Sequence, residues 1–181
     1  MPVNLTMKHP VLRAWALYHQ TYNLLYRCEE LMFSKVGLTP QKYMVLMAIR
    51  LIEGPVTVSN VAKWLDRHTN SISLIVDRMK KDGLVARTRS LGDRRTVRLS
   101  LTQKGKDKLD EANIPGWNLV EEMMSSLSEE EQNMLAGLLE KLRKQAFEHL
   151  NPGKTLEEVE IDDIERVTRF LERTRKEQRP Q

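Results

Sequence analysis

Cysteine is almost missing from this chain: Cys28 is the one example among 181 residues. A single thiol cannot close an intrachain disulfide, so no disulfide framework shapes the fold and a reducing setting is expected. Long apolar runs are missing as well. None approaches the roughly 20 residues a membrane span requires, and the opening MPVNLTMKHP lacks the apolar centre of a secretory leader. The expected location is therefore cytoplasmic. Glycine (8) and proline (7) are too sparse for a low-complexity linker, and no internal repeat is visible. There is no phosphate-cradling G-x-x-x-x-G-K, no nucleophile elbow and no recognisable pair of catalytic carboxylates. His9, His19, His68 and His149 lack close ligand spacing. Enzymatic activity, a metal site and a cofactor are not expected.

Charge, by contrast, is abundant and unevenly placed. Residues 56–106 hold twelve Lys and Arg against four Asp, a balance of +8. Residues 1–55 total +3, residues 107–151 total −6 and residues 152–181 total −1. A strongly basic module thus adjoins an acidic one. A localised basic patch is the electrostatic footprint of polyanion binding, because each neutralised phosphate releases counterions.

Hydrophobic periodicity divides the chain. A helix is expected over about 11–35, with Leu17, Leu24, Leu25 and Leu31 among its apolar positions, ending at Gly37. Thr39-Pro40 restarts a helix that runs towards Gly54-Pro55. After a short extended piece around Val56, a compact helix over about 58–65 buries Val58, Val61, Ala62 and Leu65. A break at Asp66-Arg67-His68 leads to a helix over about 69–81, whose buried stripe is Ile72, Ile75, Val76 and Met79. The period then changes to two: 84–89 and 96–101 are strand-like runs flanking a basic turn at 90–95. Thr102 caps a further helix whose path is expected to be disturbed near Pro115-Gly116. Ser128-x-x-Glu131 and Thr155-x-x-Glu158 form capping boxes for two more helices, the last passing through Leu156, Val159, Val167 and Leu171. Ile161 and Phe170 would widen its contact.

Helix, short turn, helix and a hairpin with a basic tip describe a winged helix-turn-helix. The fold class is mainly α, an α+β winged helix. In such modules the second helix enters the major groove with its N-terminal residues on base edges, and an Arg-bearing hairpin tip suits the narrow, electronegative minor groove. The helix starting at Thr69 has the first role, with Asn70, Ser71, Ser73, Leu74 and Arg78 as candidate DNA contacts. Lys63, Arg67 and Lys80 are candidate phosphate contacts. Arg78 either meets a phosphate or pairs with Asp77 or Asp82, and Trp64 reads as core packing.

The segments LTPQKYMVL, VSNVAKWL, SISLIVDRMKKDGLVAR and GDRRTVRLSLTQKG together resemble the MarR family of bacterial transcription regulators over residues 12–150. The resemblance implies a domain at 11–150, with a DNA-binding module at about 56–106 and dimerisation helices at about 11–35 and 102–150. Residues 151–181 would be a helical extension. It implies a homodimer on a palindromic operator of double-stranded DNA, acting as a repressor released by a small, often phenolic, effector. Asp93 would brace the wing, Arg95 would enter the minor groove and Arg94 would touch a phosphate, although Asp93 also suits ordinary turn chemistry. Leu74 departs from the polar or basic residue common at its position, yet a leucine can touch a thymine methyl. Trp15, Tyr18, Tyr22 and Tyr26 form an aromatic stripe that either packs in the dimer or walls an effector pocket, with Met44 and Met47 as adaptable lining. Cys28 sits too far along its helix for the thiol sensor of some relatives and reads as a small buried hydrophobe. The other reading open to the sequence is a winged-helix protein-interaction module that uses its basic face on an acidic partner.

Overall fold

Four helices start on a hydroxyl that accepts from an otherwise orphaned amide, which is why the breaks between elements fall where they do. The structure is a computed structural model that describes residues 9–89, 97–156 and 164–178. Helix α1 spans Pro10–Ser34. Thr39 accepts from the Lys42 amide to open α2, Pro40–Leu51, and Thr57 accepts from Asn60 to open α3, Val58–Trp64. Helix α4 spans Thr69–Lys81. Strands β1, Val85–Arg89, and β2, Val97–Leu101, pair antiparallel with Val85 opposite Leu101 and Arg89 opposite Val97. The Leu99 amide also donates to the Val56 carbonyl at 2.8 Å, so the extended piece before α3 lies along β2. Thr102 caps α5, Gln103–Met124, and the Ser128–Glu131 capping box opens α6, Glu129–Leu150. Helix α7 covers Ile164–Gln178.

The core lies where α2, α3, α4, the hairpin and the first half of α5 meet. Val45, Leu46, Met47, Val61, Ile72, Val76, Met79, Val85 and Leu109 are buried there, and Trp64 packs inside as expected. Between α3 and α4, Asp66 adopts a left-handed backbone (φ 47°), a conformation Asp tolerates better than most side chains. Tyr43 stacks its ring 4.4 Å from that of Phe33 and donates its buried hydroxyl to Asn113 Oδ1 at 3.1 Å. Burial, and then the nearby Glu29 carboxylate, push the Tyr43 hydroxyl pKa far up, so it remains a donor.

The end of α4 is welded to the start of α5. Thr102 Oγ1 donates to the Gly83 carbonyl at 2.6 Å, and Lys104 Nζ to the Asp82 carbonyl at 2.8 Å. Lys42 Nζ reaches Asp82 Oδ2 at 2.7 Å from α2. A Cβ on Gly105 would come within 2.1 Å of the Leu84 carbonyl oxygen, so glycine is required for this approach.

Helix α5 continues without interruption through Pro115. The proline removes one i→i−4 hydrogen bond, but packing holds both flanks: Ala112 and Asn113 are buried before it, and Trp117 and Leu119 are half-buried after it. The described part of α7 docks in cis, with Val167, Phe170 and Leu171 packed against the core and Thr174 buried. Glu158, Val159 and Ile161 lie outside the described residues.

Candidate nucleic-acid interface

Helix α4 divides cleanly into two faces. Ile72, Val76 and Met79 point inward and are fully buried. Asn70, Ser71, Leu74 and Arg78 are exposed on the opposite side, spaced so that positions 71, 74 and 78 share one stripe; Ser73 is half-buried at its margin. Leu74 is 62% exposed, an unusual place for leucine on an otherwise polar face. His68 precedes the helix without a side-chain cap, so the first-turn amides are open to an anion. Lys63, Arg67, Lys80, Arg89 and Arg98 are exposed around this face.

The carboxylates that competed for Arg78 are engaged elsewhere. Asp77 Oδ1 accepts from Arg87 Nη1 at 2.7 Å, and Asp82 pairs with Lys42. Arg78 makes no ion pair among the described residues. The Lys42 hydrogen bond, with Lys104 adding to it, draws the Asp82 carboxyl below its ordinary pKa. The Asp77–Arg87 pair ties α4 to β1, so the helix and the wing's stem are oriented together. Spacing alone could not disclose it, because one partner lies on a helix and the other on a strand. The only sequence signal was an acid on the otherwise basic helix. Asp93, Arg94 and Arg95 lie outside the described residues, in the segment joining β1 to β2.

The aromatic stripe is present on α1. Trp15 and Tyr18 rings lie 6.1 Å apart, Tyr22 and Tyr26 likewise, and His19 packs edge-on to Trp15 at 4.7 Å. Trp15, Tyr18 and Tyr22 are exposed. Met44 is half-buried, whereas Met47 is 1% exposed and belongs to the core, so within one protomer these five residues do not enclose a cavity together. An open groove of about 560 Å³ lies further along α1, lined by Leu24, Arg27, Cys28, Glu30, Leu31 and Ser34. Among the described residues, no group of three or more His, Cys, Asp or Glu is arranged to hold a metal ion, and no helix is long and apolar enough to cross a membrane.

This geometry has relatives. The sequence profile of the MarR family matches residues 36–96. The chain is 32% identical over 112 residues to the HTH-type transcriptional repressor MdtR of Bacillus subtilis (strain 168), covering 62% of this chain and 72% of that protein. It is 28% identical over 127 residues to the transcriptional repressor MprA of Escherichia coli (strain K12), covering 70% and 72%. Among solved structures, it resembles the organohalide-sensing RdhR regulator in its 2,4-dichlorophenol-bound form, with TM-score 0.75 and 25% identity over 84% of this chain and 90% of that one. A MarR mutant from E. coli complexed with operator DNA shares the fold, with TM-score 0.67 and 24% identity over 73% and 94%. With helix-turn-helix, hairpin and flanking helices in the same order and the same three-dimensional arrangement, the chain belongs to the MarR family of transcriptional regulators.

Proposed function

We propose that this chain is a cytoplasmic, dimeric repressor that reads a palindromic operator and is released by a small aromatic effector. The observation that carries the reading is the outer face of α4: Asn70, Ser71, Leu74 and Arg78 exposed, opposite a buried stripe, within a module of charge +8. Asn70 suits bidentate contact with an adenine, Ser71 and Ser73 suit bases or phosphates, and Leu74 suits a thymine methyl. Arg78 and the first-turn amides of α4 hold phosphates. On the wing, Asp93 braces the tip, Arg94 takes a phosphate and Arg95 enters the minor groove.

Dimerisation accounts for apolar surface that one protomer leaves uncovered. Val11, Leu12, Leu17 and Leu24 of α1, and Met134, Leu138, Leu139 and Leu142 of α6, are all exposed. A two-fold interface is the commonest way to bury such faces, and it would place two modules at half-sites about 34–36 Å apart. Trp15, Tyr18, Tyr22 and Met44 would border the effector site once the partner closes it. The phenol-bound state of the RdhR relative supports an aromatic ligand.

The deciding experiment is a fluorescence anisotropy titration against a duplex selected by the protein from a randomised pool. Sequence preference should persist while affinity falls steeply with salt. Equal affinity for selected and scrambled duplexes would remove the operator reading and favour an acidic protein partner.

A further inference from the structure

We propose that α7 is a strut, held by Arg166 and Arg175 as positioning residues, that fixes the angle between the winged module and the outer half of α5 and so sets which half-site spacing the dimer accepts. One end grips the module. Arg166 Nη1 donates to the Leu51 carbonyl at 3.1 Å, and its Nη2 lies 3.6 Å from Glu53 Oε1. Leu51 ends α2, where helix carbonyls lack intrahelical partners and the macrodipole favours a cation. The other end grips α5. The Arg175 guanidinium lies 4.9 Å over the Trp117 ring, and its Nη2 lies 2.6 Å from Glu121 Oε1. Between the two, Val167, Phe170 and Leu171 pack on the core, and the buried Thr174 turns its hydroxyl back to the Phe170 carbonyl at 3.0 Å.

The position of these anchors matters because of what lies between them on α5. Pro115 deletes a helical hydrogen bond and Gly116 adds backbone freedom, so bending α5 is least costly there. Below that point, Thr102, Lys104 and Gly105 weld α5 to the end of α4. Above it, α5 continues towards α6, whose apolar residues are exposed. A bend at 115–116 would therefore swing the recognition helix relative to the dimer. Helix α7 ties α2 to Trp117 and Glu121 across that bend, and opposes it.

The proposal rests on the two-fold operator reading above. Its test takes a palindromic duplex selected by the wild type, remade with single base pairs inserted or removed between the half-sites. Full-length Arg166→Ala, Arg175→Ala and Arg175→Lys are titrated against each duplex, with light scattering to report assembly. The wild type should discriminate sharply between spacings. Either alanine variant should lose at least about threefold of that discrimination, within the range by which changes along a coupling element act. Arg175→Lys retains the charge facing Glu121 and should recover part of it. A merely structural role would lower the melting temperature and leave relative affinities across spacings unchanged; that outcome in any folded, dimeric alanine variant overturns the strut. A wild type with no spacing preference overturns the two-fold reading, and the strut with it.

Discussion

The winged module and the two long outer helices treat their apolar residues in opposite ways. In the module, Ile72, Val76, Met79, Val85 and Leu99 are all buried within one protomer, and apart from Leu74 and Val97 what faces outward is mostly polar or basic. In α6, Phe147 is buried while Met134, Leu138, Leu139 and Leu142 stand in the open; most of α1 behaves likewise. The module's apolar face is therefore closed by α2 and α5 of the same chain, and its outer face displays a surface for a polyanion. The outer helices leave their apolar stripes exposed within one chain, the surface that the proposed dimer would cover. Both kinds of helix are amphipathic, but only the neighbours decide whether a stripe is core or interface.

Five measurements would break or sharpen this contrast. The largest effect should come from the module's interior. Met79→Ala removes a fully buried side chain and should cost about 2–5 kcal/mol in urea denaturation, the usual scale for a buried methionine; a loss below that range would mean the module is not closed. Next, Leu138→Asp and Leu142→Asp should each weaken self-association by roughly 2 kcal/mol, the scale of a buried interface anchor. Light scattering should then shift from about twice towards one 21.1 kDa chain mass. Unchanged mass would mean the α6 face is not the interface.

Smaller effects belong to the DNA face. Arg95→Ala should weaken operator binding by about 1–3 kcal/mol, as for one good groove contact, with the melting temperature unchanged. Arg78→Ala, if its partner is a phosphate, should weaken all duplexes evenly and reduce the salt slope by about 1. An unchanged slope would place Arg78 outside the contact.

The smallest concerns pH. The Lys42 hydrogen bond lowers the Asp82 pKa in the folded chain, so the pair's stabilisation is present above the unfolded value and is lost as pH falls through the acid range below about 4. Both partners are partly exposed, so the contribution should stay under about 1 kcal/mol. Asp82→Asn should make the acid limb of a stability–pH curve shallower, and an unchanged limb would remove the weld's electrostatic part.

Much of the fold was legible because local rules suffice for it. The i, i+3, i+4 spacing of Ile72, Ile75, Val76 and Met79 and the hydroxyls of Thr39, Thr102 and Ser128 mark helices without reference to anything distant. The α4 face was legible for the same reason, since whatever is not on the buried stripe must look outward. Pro115 marks a limit of local rules, because a proline's penalty is visible in sequence and the packing that tolerates it is not. Met47 was ambiguous because a methionine on an amphipathic helix reads equally as core or as pocket lining, and only its neighbours decide.

By itself, then, the sequence determined the order of elements, their caps, the basic module and the outward face of α4, all of which depend on residues within a turn or two of each other. Only the tertiary structure decided that Asp77 pairs with Arg87, that Asp82 holds Lys42 forty positions away, and that Arg166 and Arg175 bind α7 to the ends of two different helices. Each of those contacts joins elements whose distance along the chain says nothing about their distance in space. They form only after the apolar stripes have packed and brought the charged ends within reach.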